Sequence, residues 1–160
     1  MIPPMLAAVA VWAATWCAPA PTPGPVVRPF EAPSCTYCPG HRGIDYRTVP
    51  GSTVRAVADG SVTFAGQVAG VQWVVIAQHD GLRASYGRLL TPTVTAGAEV
   101  RAGDVVGLAG VELYFGWQRA GEPIDPTPYL GRPRSRLRLV PDDGTPRRPT
   151  VECPAARPGR

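Results

Sequence analysis

Lysine is absent: all 16 basic residues are arginine. A domain that carries a cofactor on a lysine arm is therefore excluded. Histidine is scarce, with His41 and His79 the whole supply, so any imidazole-based site must be built from few parts. No stretch of useful length repeats its apolar residues with helical spacing, which excludes a helix bundle. No apolar run is long enough to cross a bilayer as a helix. Cysteine is limited to four, at 17, 35, 38 and 153. Turn formers are plentiful instead, with 20 Pro and 18 Gly against an ordinary 44% apolar content. Many turns and short strands follow from that balance.

A chain of 160 residues makes one domain with tails. Its charge is uneven. Residues 26–130 carry eight Arg and nine acids, a net of −1, whereas residues 131–160 carry eight Arg and three acids, a net of +5. A nucleic-acid function needs basic residues on a folded face, and here they lie in a Pro-broken tail. That tail suits electrostatic contact with an anionic surface, or plain solvation.

Met5 to Cys17 is a short apolar run, followed by Ala18-Pro19-Ala20, a small-x-small pattern. It reads as an export leader over residues 1–20, although no Arg precedes the run and Pro21 is a poor residue after a cut. Trp16 is too bulky to precede a lipidated Cys17. The expected location is secreted or in the cell envelope, with membrane contact only through the leader. A Pro-rich linker follows over residues 21–27. The folded domain is expected over 28–130, with Phe30 as an early anchor, and the basic tail over 131–160.

In an exported chain the cysteines should be oxidised where geometry allows. With Cys17 removed, Cys35, Cys38 and Cys153 are the candidates. A bridge from Cys153 to either of the others would pin the tail. Cys35-Thr36-Tyr37-Cys38 lacks the βαβ context of a redox motif, and Pro39-Gly40 separate it from His41, so it is no haem-attachment site. A structural bridge within it, with one thiol left over, is the simplest reading.

After residue 45 the pattern is of strands: 53–58, 61–65, 71–78, 82–90, 105–108 and 111–118. Asp59-Gly60 predicts a hairpin between the first two. The spacing of Val94, Gly97, Val100, Gly103 and Gly107 alternates strand residues with turn glycines. The expected fold is all-β, a compact antiparallel β-sandwich or open barrel.

The chemistry centres on His41-Arg42-Gly43-Ile44-Asp45. In an extended segment positions 41, 43 and 45 face one way, so an imidazole and a carboxylate can converge across Gly43. Both are zinc-type donors. His79, at a strand end, reads as a surface imidazole.

Five segments in order, His41–Asp45, Ala56–Val62, Ser85–Leu89, the Val–Gly rhythm, and Leu113–Gly116 with Ile124–Leu130, resemble the lysostaphin/LytM-type zinc endopeptidases. The resemblance covers residues 28–130. It implies the duplicated hybrid motif fold and a groove for peptidoglycan peptides. It makes His41 and Asp45 the first two zinc ligands. The remaining family positions are changed. Tyr114 stands where the third ligand, a histidine, belongs. Glu112 and Arg88 stand where two further histidines belong. Tyr86 and Arg88 fall in the groove, where substrate would bind.

Two ligands do not fix a zinc ion that needs three and an open position. Tyr114 would ligate only as phenolate, against an ordinary pKa of about 10. Arg88 places a cation beside the site, and an Arg88–Asp45 or Arg88–Glu112 ion pair would fill it. The expected function is therefore a domain that binds wall peptides or regulates a wall hydrolase without cleaving. The alternative is an active enzyme with His41, Asp45 and Tyr114 as ligands and Glu112 as general base. Nucleic acid is not an expected partner.

Overall fold

The computed structural model describes residues 17–79, 81–133 and 151–152. Apart from one 3-10 turn at Thr127–Tyr129, the regular elements among them are strands. They are β1 (Ala18–Pro19), β2 (Val26–Arg28), β3 (Ile44–Arg47), β4 (Thr53–Arg55), β5 (Gly60–Val68), β6 (Val71–Gln78), β7 (Leu82–Pro92), β8 (Glu99–Val100), β9 (Val105–Arg119), β10 (Glu122–Ile124), β11 (Leu130–Pro133) and β12 (Val151–Glu152).

The main sheet runs β2-β3-β9-β7-β6-β5-β8, with β4 and β10 also paired to β9. All its pairings are antiparallel. A smaller sheet joins β1 to β11 in parallel and β11 to β12 antiparallel. The expected all-β fold is the one observed.

Period-two alternation builds the core. Ile44 and Tyr46 of β3, Val74 and Ile76 of β6, Ala84 and Tyr86 of β7, and Leu113, Phe115 and Trp117 of β9 all turn inward. Phe115 lies 5.2 Å from the Tyr86 ring and 5.5 Å from that of Trp117. Each large side chain buried here stabilises the fold by about 1.5–3 kcal/mol. Phe30 rests against this cluster, as its anchor role requires.

Three expectations need correction. The stretches 105–108 and 111–118 are one strand, because Ala109 and Gly110 continue β9 without a turn. No hairpin joins β4 to β5: β4 pairs with β9, and β5 with β6 and β8. Gly60 is needed for close approach rather than for turning, since a Cβ there would press into the Ala77 carbonyl oxygen. Cys35 and Cys38 bridge each other, which rules out a bridge from Cys153 to either. Cys17 is itself disulfide-bonded, and no described cysteine is left over as a thiol. Cys153 lies outside the described residues.

The N-terminal segment is laid against the domain. Ala18 is a core residue and Thr22 is buried. The Ala20 amide donates to the Gly131 carbonyl, the Arg55 amide to that of Pro21, and the Arg47 amide to that of Pro25. A cut after Ala20 would strip β1 away, and the stretch 21–27, read as a linker, carries these backbone bonds and the start of β2.

Candidate functional site

His41 is held from three sides. Its backbone makes a two-way bridge with Glu31, at 2.9 and 2.8 Å. Its ring Nδ1 donates to the Pro29 carbonyl at 2.8 Å. A carbonyl only accepts, so the proton of the neutral ring sits on Nδ1 and Nε2 offers a lone pair. Nε2 points at Asp45, 3.4 Å from Oδ2. Asp45 is 2% exposed. The expected convergence of His41 and Asp45 is therefore real, although residues 42–43 bend rather than continue β3.

Opposite Asp45 in the β3–β9 register stands Tyr114, with Glu112 facing Arg47 two positions along. The Tyr114 ring lies edge-on to His41 at 5.8 Å and to Trp73 at 5.4 Å. Gly43 makes room for it: a Cβ at 43 would stand 2.7 Å from the ring and would press into the Phe115 carbonyl oxygen. Gly87 does the same for Trp73, whose ring comes within 2.5 Å of a Cβ built there. Burial raises the Tyr114 pKa first and the Asp45 charge raises it further, against weaker lowering by Arg42 and Arg88. The phenol stays protonated near neutrality.

Arg88 closes the cluster. Its Nη1 lies 3.1 Å from Asp45 Oδ2 and donates to Glu112 Oε2 at 3.0 Å. Both expected ion pairs are present at once. The arginine gets there by a bulge. The β7 register shifts between Gly87 and Leu89, and Arg88 adopts a left-handed φ of 60°. Such bulges re-aim a side chain. This is why Tyr86, expected in the groove beside Arg88, is absent from it. Tyr86 is wholly buried in the core, where its hydroxyl accepts the Val57 amide at 3.0 Å. Without the bulge, residues 86 and 88 would share a face.

His41, Arg42, Val71, Trp73, Arg88 and Tyr114 line a cleft of about 350 Å³. Val71 and Trp73 also line an adjoining apolar hollow of about 420 Å³, reaching Phe64, Val68 and Val75. Arg42, Val71 and Trp73 escaped the sequence reading. The one available clue was Gly87, a residue without a side chain opposite a strand tryptophan. His79 is exposed in the turn after β6, away from this cleft.

Toward a zinc ion the donors divide. Two atoms favour one: His41 Nε2 and Asp45 Oδ1 are buried without hydrogen-bond partners. The rest oppose it. Among the described residues no group of three or more His, Cys, Asp or Glu could hold a metal. The Tyr114 phenol is held neutral, and a guanidinium already sits on the carboxylate that would bind. The residues present do not fit a three-ligand zinc centre.

The model of Peptidase family M23 matches residues 39–126, more than half of the chain, and the chain belongs to that family. An uncharacterized protein of Mycobacterium tuberculosis is 42% identical over 85 residues, covering 53% of this chain and 34% of its own. The murein hydrolase activator EnvC of Escherichia coli is 37% identical over 90 residues, covering 51% of this chain and 22% of its own. The DD-carboxypeptidase/endopeptidase Mpg of Neisseria meningitidis is 34% identical over 94 residues, covering 54% and 22%. The chain thus spans about a third or less of these relatives. Among solved structures, Helicobacter pylori Csd3 superposes with a TM-score of 0.63 at 27% identity, covering 77% of this chain and 37% of that one. Lysostaphin superposes at 0.62 and 21% identity, covering 82% and 62%, a likeness of fold.

Proposed function

We propose that this chain is an exported, peptidoglycan-associated domain of LytM type that no longer cleaves, and that it uses its cleft to bind wall peptides or to engage a wall hydrolase. One observation carries the reading: the Arg88 guanidinium bonds Asp45 and Glu112 together, at 3.1 and 3.0 Å, where a peptidase needs an ion and a free base. A relative named as a hydrolase activator supports a partner role without cleavage.

The unspent Nε2 of His41 and Oδ1 of Asp45 favour a second reading. There His41, Asp45 and Tyr114 hold zinc and Glu112 is the base of an active endopeptidase, in line with the relative named for carboxypeptidase and endopeptidase activity. It requires a Tyr114 phenolate, which burial disfavours, and a Glu112 free of Arg88.

Zinc content and peptidoglycan turnover, measured on one purified sample, separate the two. The first reading expects substoichiometric zinc, no released muropeptides, and retention on sacculi. Stoichiometric zinc with turnover abolished by chelator and by His41→Ala would overturn it.

A further inference from the structure

Tyr37 is 97% exposed. Nothing about its setting is loose. It sits at the apex of a four-residue loop closed by the Cys35–Cys38 disulfide and by the Cys38 amide donating to the Cys35 carbonyl at 3.1 Å. Pro33 and Pro39 flank the loop, and the Glu31–His41 bridge fixes its base. Arg42, which lines the cleft, donates through Nη2 to the Thr36 carbonyl at 2.6 Å. Loop and cleft are thereby one continuous surface.

A disulfide that holds an aromatic ring out in water does nothing for the core. The bridged loop fixes the backbone beneath the ring, so binding orders only the side chain itself, a smaller cost than ordering a free loop. Next to Tyr37 in the loop is Thr36, whose carbonyl accepts from the Arg42 guanidinium. A protein partner wants a patch of about 800 Å² on each side. A sugar ring wants less: one aromatic face, whose negative quadrupole meets the slightly positive C–H face of a pyranose, and polar groups beside it for the hydroxyls.

We propose that Tyr37 is a stacking platform for the glycan strand of peptidoglycan, so that the ligand is a peptide still attached to its sugar. The inference rests on the wall-binding reading above. Arg42 belongs to both loop and cleft, so one ligand in the cleft can also reach the ring.

The test compares intact sacculi with stem peptides released from their glycan by an amidase, as ligands of the full chain. Tyr37→Ala should weaken binding to sacculi about three- to tenfold and leave binding to released peptides unchanged. Tyr37→Phe should keep the sacculus affinity, because the ring and not the hydroxyl stacks. The Cys35→Ser/Cys38→Ser double variant, checked by thermal melting to be folded, should match Tyr37→Ala. Equal loss on both ligands, or no loss on sacculi, would overturn the proposal. So would retained sacculus binding together with loss of a wall hydrolase from a pull-down, which would assign the ring to a protein partner. If the unaltered chain binds neither ligand, the wall-binding reading itself has failed and this one falls with it.

Discussion

Arg88 combines two costs in one residue. Its left-handed φ of 60° strains a non-glycine backbone by roughly 1–2 kcal/mol, and its guanidinium is tied to two acids. The pair with Glu112, both partners more than 40% exposed, contributes little. The pair with Asp45 matters more, because Asp45 is buried. Arg88→Ala should therefore lower unfolding free energy by about 1–3 kcal/mol, less than the loss of a fully buried pair since Arg88 is 41% exposed. Arg88→Gly should sit about 1 kcal/mol above Arg88→Ala, having shed the strain. Urea midpoints of the two variants check both numbers. Gly43→Ala should cost about 1–3 kcal/mol, because the Phe115 carbonyl that meets the new Cβ is backbone and cannot yield. At this scale the sequence was informative where residue types were chemically unsuited to their positions. A guanidinium and a phenol in imidazole places announced the ion pair. The direction of Tyr86 was not legible, since a bulge leaves no mark on the alternation it interrupts.

Among the elements, the ends of the chain depart most from expectation. The sequence around 18–20 has the small residues of a cleavage site, and the same small residues suit close packing of β1 against β11. Composition alone does not separate the two uses; the buried Ala18, the bonded Cys17 and the hydrogen bond from Ala20 are what packing use looks like. If these contacts persist in the mature protein, its N-terminal sequencing should find a start before Cys17. A version beginning at Pro21, which loses both β1 and the Cys17 disulfide, should melt well below one beginning at Cys17, since a native bridge alone is worth about 2–4 kcal/mol. The missing β4–β5 hairpin has a similar cause. Asp59-Gly60 has the composition of a tight turn, but it is the nearness of β6 that requires Gly60.

For the molecule as a whole, three phenols share one fate. Burial raises the pKa of Tyr46, of Tyr86 and, with help from Asp45, of Tyr114. Above about pH 10 the unfolded chain releases these protons while the folded chain keeps them. Stability is thus full below that pH and falls above it, by about 1.4 kcal/mol per pH unit for each of Tyr46 and Tyr86, with Tyr114 acting in the same direction. Thermal melts from about pH 8 to about pH 11.5, with tyrosinate absorbance recorded alongside, should show the ionisation of these three of the five tyrosines arriving together with unfolding. Ionisation of all three in a chain still folded would contradict the burial argument. The all-β architecture itself was readable, because glycine turns and β-rich runs recur through the whole domain. The path of β9 was not, since its pairing with four other strands is set by contacts far apart in the chain.

The trio of Asp45, Arg88 and Glu112 also constrains what this lineage can become. Replacing the arginine alone by histidine takes the guanidinium away from the buried Asp45. Tyr114 meanwhile fills a slot between Gly43 and Gly116 that an imidazole would leave partly hollow. Seating an ion here would therefore take changes at Arg88 and Tyr114 together, because each of these side chains now fills space or neutralises charge that its neighbours depend on.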